Sequence, residues 1–243
     1  MELNSVLLSF LFLFSLNSEP VKVAVIDTGS NSIHKLTLCK DGHIDLTKNE
    51  PVEYTSKELF EGKWADFRDN SSHGTNISHL IHENAGNSNY CQMIIKYAKG
   101  EGDPNSVKNT VKAFKHAHMR GANIVNYSST GPGALKSEKD IINKMIRDGI
   151  IIVTAAGNQG MNLNKKCNTY PACYYKNIIV AGSGFGPDKP ANYSNTGKVV
   201  DIWIQGSHKK ANGVSMSGTS QSTAIATGKL IRMIDKLRNF LND

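Results

Sequence analysis

At 243 residues, with 39% hydrophobic and 20% charged residues, the chain has the composition of an ordinary globular protein, not of a disordered or fibrous one. One α/β domain of this length buries roughly 75% of its unfolded surface, so a sizeable core is available. The formal charge is +7, but the 28 basic residues are scattered, without the clustered patch that nucleic acid requires, so the charge speaks to solubility and no nucleic-acid partner is expected.

Residues 1–18, MELNSVLLSFLFLFSLNS, carry an apolar core from Val6 to Leu16 that is too short for a membrane span. With the small residue Ser18 where cleavage could fall, they read as a signal peptide, although Glu2 is the only charge there and a positive n-region is missing. The expectation is a secreted or periplasmic protein with a single domain over 19–243, no stable membrane association after signal removal, and a monomeric state.

From Val21 onward, short β-branched runs alternate with helical patterns. VKVAVID (21–27), QMIIKYA (92–98), ANIVNYS (122–128), IIIVTAA (150–156) and NIIVAGS (177–183) are near-continuously apolar, as strands buried on both faces are. Between them, ISHLIHEN (77–84), NSVKNTVKAFKHAHMRG (105–121) and SEKDIINKMIRDG (137–149) place apolar residues at three- and four-residue spacing, and a last amphipathic helix is expected from about Ser220 to Phe240. Asn105 is the expected cap of the second helix and Ser137, with Asp140 three residues on, of the third. Gly121 and Gly149 stand where left-handed residues end helices. The alternation predicts a three-layer αβα domain, a doubly wound and mostly parallel sheet with helices on both faces.

Four cysteines, Cys39, Cys91, Cys167 and Cys173, form an even set without zinc-ligand spacing, which suits an oxidising compartment. Cys167 and Cys173 bracket the short loop NTYPA and are the expected local pair, leaving Cys39 for Cys91; four free thiols in a reducing compartment are the alternative.

The stretch VAVIDTGSNS (23–32) admits two readings. Asp-Thr-Gly could be the carboxylate loop of an aspartic protease, but that chemistry shares a proton between two facing carboxylates, and no second Asp-Thr-Gly or Asp-Ser-Gly is present. Alternatively, Asp27 ends a buried parallel strand, the edge at which active sites collect in doubly wound sheets. Serine-nucleophile catalysis needs a carboxylate, an imidazole and a hydroxyl, and three segments each offer one. Asp27 is the first; His73 opens a helix in NSSHGTNISHLI; Ser220 lies in SMSGTSQSTAIATG, at the start of the last helix, near the positive end of its dipole.

VAVIDTG around Asp27, HGT from His73 and SGTSQSTAIATG around Ser220 resemble the three signature blocks of the subtilisin-like serine proteases, the subtilases. IIIVTAAGNQG, NYSSTGP (126–132), YPACYYKNIIVAG (170–182) and DIWIQG (201–206) extend the resemblance from about Lys22 to Gly228. It implies acyl transfer on protein or peptide substrates: His73 takes the proton of Ser220, Asp27 fixes the imidazole tautomer, and the Asn158 amide with the Ser220 N–H holds the oxyanion. By the same matching, Asn126, Tyr127, Ser128, Ser129 and Thr130 form the substrate-binding strand, with Ala156 and Gly157 opposite, and Thr169 in the wall of the primary specificity pocket. Ser129 and Thr130 replace the leucine and glycine often seen there. His79 and His82 are expected to be packing or surface residues.

No cofactor is required by that chemistry. Calcium is common in such enzymes, but the connection HENAGNSNYC after the His73 helix is short and no compact carboxylate set supports a metal site. About twenty residues precede the first core strand, fewer than the roughly 40 of an independently folded prodomain, which leaves room for a separate folding helper or inhibitor. A non-catalytic, peptide-binding relative is the alternative to an enzyme.

Overall fold

The computed structural model describes residues 19–63, 67–174 and 177–242; the signal-like segment 1–18 lies outside them. In chain order the elements are Val21–Asp27 (β1), His43–Asp45 (β2), Val52–Tyr54 (β3), Ser56–Phe60 (α1), His73–Ala85 (α2), Tyr90–Lys96 (β4), Ser106–Met119 (α3), Ile124–Tyr127 (β5), Lys136–Arg147 (α4), Ile151–Ala155 (β6), Ile179–Ser183 (β7), Ile202–Ile204 (β8), Lys209–Ala211 (β9), Val214–Met216 (β10) and Thr219–Asn242 (α5).

β1 is apolar on both pleats, and each pleat has its own core. Ala24 and Ile26 point into one, with Phe114 of α3 and Ile142 and Met145 of α4. Val21, Val23 and Val25 point into the other, with Ile77 and Ile81 of α2 and Ile231 and Ile234 of α5. The αβα layering therefore follows from the continuous apolar runs read in the sequence. The main sheet runs β3-β2-β4-β1-β5-β6-β7-β8; within it β2 and β3 pair antiparallel and the remaining neighbours are parallel. A two-stranded hairpin, β9 with β10, precedes α5. This sheet has no place in an all-β aspartic protease.

Since β4 lies on one side of β1 and β5 on the other, the winding direction reverses at β1, and the crevice at such a switch point is where doubly wound sheets bind ligands. α2 and α5 approach closely away from the crevice, near the C-terminal end of α2: a Cβ on Gly228 would lie 2.6 Å from Asn84 Cβ and 2.8 Å from the Ile81 carbonyl oxygen. Only glycine fits that crossing.

Several boundaries differ from those expected. β4 starts at Tyr90, two residues before the apolar run, because its N–H and C=O groups continue the ladder with Val21 and Lys22 of β1. α2 begins at His73, as expected, one turn ahead of the apolar pattern at 77–84. Asn105 precedes α3 but its side chain caps nothing; Asp103 supplies the local acceptor, its carboxylate taking the N–H groups of Lys99 and Asn105 at 2.9 Å each. Ser137 lies inside α4, which starts after Leu135 without a side-chain cap. Gly121 and Gly149 follow their helices at φ +69° and +88°, the left-handed conformation expected.

Both disulfides form. Cys39–Cys91 ties the segment before β2 to β4 with Cα atoms 4.8 Å apart, and Cys167–Cys173 closes the short loop at 5.6 Å. Among the described residues no helix is long and apolar enough to cross a membrane.

Candidate active site

Asp27 is the last residue of β1, and its side chain is buried at the carboxyl edge of the sheet. Its Oδ1 accepts the Thr28 N–H at 2.8 Å and faces His73 Nδ1 at 2.7 Å. A carboxylate can only accept from the ring, so Nδ1 carries the proton and the neutral imidazole presents Nε2 as its acceptor. The His73 side chain stays 30% accessible toward the cleft while that of Asp27 is 5% accessible. Close approach depends on the next residue: a Cβ on Gly74 would sit 2.2 Å from the Gly29 carbonyl oxygen and 3.1 Å from Asp27 Oδ1. Burial of the ring disfavours the imidazolium, but the charge and hydrogen bond of Asp27, aided by the fields of Asp69 and Glu101, outweigh it and hold the His73 pKa above its ordinary value.

Asp69 was not among the expected site residues, yet it organises this side of the cleft. Its Oδ2 accepts the Thr75 N–H and hydroxyl, both at 2.7 Å. Its Oδ1 accepts Thr28 Oγ1 and Ser71 Oγ, both at 2.8 Å. Thr28 Oγ1 in turn accepts the Gly74 N–H at 3.0 Å. Asp69 thus joins the end of β1 to the first turn of α2, where the negative charge also meets the positive end of the helix dipole. That is why α2 starts at His73, ahead of its apolar stripe.

Ser220 is the second residue of α5 and is buried. Its hydroxyl donates to the Ser128 carbonyl oxygen at 2.8 Å, not to His73. Ser128 Oγ donates back to the Ser220 carbonyl at 3.1 Å and accepts Asn126 Nδ2 at 3.0 Å. Releasing the Ser128 carbonyl requires a side-chain rotation of Ser220 between staggered wells.

Asn158 follows β6. Its Oδ1 accepts the Thr219 N–H at 2.8 Å and the Thr219 hydroxyl at 2.9 Å. A backbone N–H can only donate, so the amide orientation is fixed and Nδ2 is left free to donate. Asp27, His73, Ser220 and Asn158 all line one cleft of about 400 Å³.

Of the expected substrate-binding residues, Ser128, Ser129, Thr130 and Gly157 line this cleft, and Asn126, Tyr127, Ala156 and Thr169 lie beneath its walls. Asn126 Oδ1 accepts Thr227 Oγ1 at 2.9 Å, and the Tyr127 ring packs against Phe114 at 5.2 Å. The Ala156 carbonyl accepts Asn195 Nδ2 at 2.9 Å, and the same amide reaches Thr169 Oγ1 at 3.4 Å. Their side chains support the walls. Tyr97, Glu101, Gln159 and Met216 also line the cleft; none was among the expected site residues, and Tyr97 and Glu101 lie outside the motif blocks. His79 and His82 are packing residues, against the Asn31 carbonyl at 3.2 Å and the Tyr90 hydroxyl at 2.7 Å. Among the described residues no group of three or more His, Cys, Asp or Glu is placed to hold a metal ion.

A doubly wound parallel sheet with a carboxylate, an imidazole and a serine hydroxyl gathered at its switch point has the architecture of a serine peptidase. The chain belongs to the subtilase family, whose sequence profile matches residues 18–242. It is 26% identical over 227 residues to the major intracellular serine protease of Bacillus subtilis, covering 85% of this chain and 67% of that one. It is 25% identical over 236 residues to subtilisin E of the same organism, covering 91% of this chain but only 57% of that one. A cold adapted subtilisin-like serine proteinase of known crystal structure shares the fold with a TM-score of 0.71 at 22% identity, over 92% of this chain and 81% of that one.

Proposed function

We propose that the chain is a serine endopeptidase working through an acyl-enzyme, with Asp27, His73 and Ser220 as its triad. The observation that carries this reading is the 2.7 Å pairing of His73 Nδ1 with the buried Asp27, which leaves Nε2 facing the cleft as a base. An extended peptide lies beside residues 128–130 as an added strand, with its affinity from main-chain hydrogen bonds. Ser220 Oγ leaves the Ser128 carbonyl, passes its proton to His73 Nε2 and attacks the peptide carbonyl carbon. Asn158 Nδ2 and the Ser220 N–H hold the oxyanion, worth about 2.7 to 4 kcal/mol per donor. Collapse expels the amine, which takes the proton from His73; water then enters by the same route and frees the acid. Asp27 stays ionised throughout.

Export fits this reading: two disulfides join all four cysteines, and the apolar segment 1–18 precedes a peptidase domain over 19–243. A non-catalytic peptide-binding protein is the second reading, favoured by the Ser220 hydroxyl resting on Ser128. Incubation with a mixed peptide library separates the two. The peptidase reading expects internal cleavages that vanish in Ser220→Ala; the binding reading expects retention of peptides without cleavage in both proteins.

A further inference from the structure

The cleft carries one charge that the triad does not use. After β4 the chain turns back over the cleft, and Tyr97, Gly100 and Glu101 line it beside Asp27 and His73. The turn is pinned by Asp103, whose carboxylate accepts two backbone N–H groups within it and whose own carbonyl accepts the Ser106 N–H at 3.0 Å. Glu101 therefore projects from a fixed backbone.

Two carboxylates and one imidazole line the cleft, Asp27, Glu101 and His73. Asp27 and His73 satisfy each other, whereas Glu101 is exposed and makes no hydrogen bond or ion pair among the described residues. Lys99, two residues earlier in the same turn, does not pair with it. The other groups on the walls are hydroxyls, amides, glycines, an alanine, a methionine and the Tyr97 ring. A solitary carboxylate between walls of low dielectric focuses a negative potential into the space a substrate must occupy.

Resting on the peptidase reading, we propose that Glu101 is a specificity-determining residue that selects peptides carrying a lysine or arginine side chain on the stretch crossing the His73 side of the cleft. The carboxylate accepts a charge-assisted hydrogen bond from the cation, which costs less desolvation at an open cleft than in a core. The whole-chain charge of +7 works against cationic peptides, so a preference for them has to be local. It must therefore depend on Glu101 and weaken with salt.

The test uses internally quenched peptides that differ only by lysine, arginine, norleucine or glutamate at each of the four positions preceding the cleaved bond, with wild type, Glu101→Gln and Glu101→Arg. At low ionic strength wild type prefers lysine or arginine over norleucine at one position by about fivefold or more in kcat/KM. The ratio falls to near unity in Glu101→Gln and inverts toward glutamate in Glu101→Arg. An unchanged ratio in Glu101→Gln, or wild-type turnover blind to charge at all four positions, overturns the proposal and leaves the peptidase reading intact. Absence of turnover for every peptide overturns both.

Discussion

Asp27 and His73 sit in a buried web of hydrogen bonds that runs through Thr28, Ser71, Asp69 and Thr75. Elsewhere in the cleft the Ser220 hydroxyl has one partner, the Ser128 carbonyl, and Asn158 is held through its Oδ1 by Thr219. On the proposed mechanism the carboxylate–imidazole half is assembled before substrate arrives, and the nucleophile half is completed by it. The difference has a physical basis. An imidazole must be fixed in one tautomer, which only a rigid, desolvated acceptor provides, whereas a serine hydroxyl needs only a rotation to change partners.

Breaking the rigid half at its acceptor has the largest effect. Asp27→Asn keeps the shape but lets the ring take the wrong tautomer, and kcat is expected to fall about 10⁴-fold. The base must be neutral to accept a proton, so kcat/KM rises with pH through the His73 titration, at a midpoint above its ordinary value of 6.5. In Asp27→Asn that midpoint moves down. A pH–rate profile of both proteins checks the direction.

Asn158→Leu removes the donor that the proposed mechanism uses only once charge develops on the carbonyl oxygen. The expected loss is about 10²- to 10³-fold in kcat with KM little changed, read from steady-state kinetics. A KM effect as large as the kcat effect would place Asn158 in ground-state binding.

Asp69→Asn probes the link beneath the rigid half. One oxygen becomes an NH₂ facing N–H and O–H donors, so the start of α2 shifts and kcat falls by about 10²-fold. A structural fault alone would leave the pH midpoint where it was. Loss of the Asp69 charge lowers it, because that charge helps to raise the His73 pKa.

The acid limb of any profile also contains a stability effect far from the cleft. Burial holds the His43 pKa down to about 4; its Nδ1 accepts the Ile94 N–H at 3.1 Å and its Nε2 faces the Cys39 carbonyl at 2.9 Å. Below pH 6.5 the unfolded chain takes a proton that the folded chain refuses, so stability is full above that pH and is lost on descent toward pH 4. The expected loss is about 3 kcal/mol across that window, read as a lower denaturant midpoint.

The chain order of strands and helices was legible because strands buried on both faces carry unbroken apolar runs, and the three motif blocks fall where those strands and helices begin or end. Less legible were the features set by contacts across the chain. Asp69 lies in a polar loop that reads as surface, and its partner Thr28 is 41 residues away. Asn105 precedes its helix without capping it, and Ser137 cannot cap a helix that already begins at Lys136. Asn126 and Tyr127 match the motif but are buried on opposite faces of β5, one toward Thr227 of α5 and the other toward Phe114 of α3, because helices cover both faces of the strand. Glu101 has no motif around it; its place in the cleft follows from how the turn after β4 folds back.

The central claim is that His73 activates the Ser220 hydroxyl on leaving Ser128. The most direct test is labelling with a serine-directed aryl phosphonate, with the adduct located by mass spectrometry. The expected result is one adduct on the peptide containing Ser220, absent in Ser220→Ala, forming at a rate that rises with pH and drops in His73→Ala. Folded protein that takes no label, or an adduct that persists in Ser220→Ala, would contradict the account.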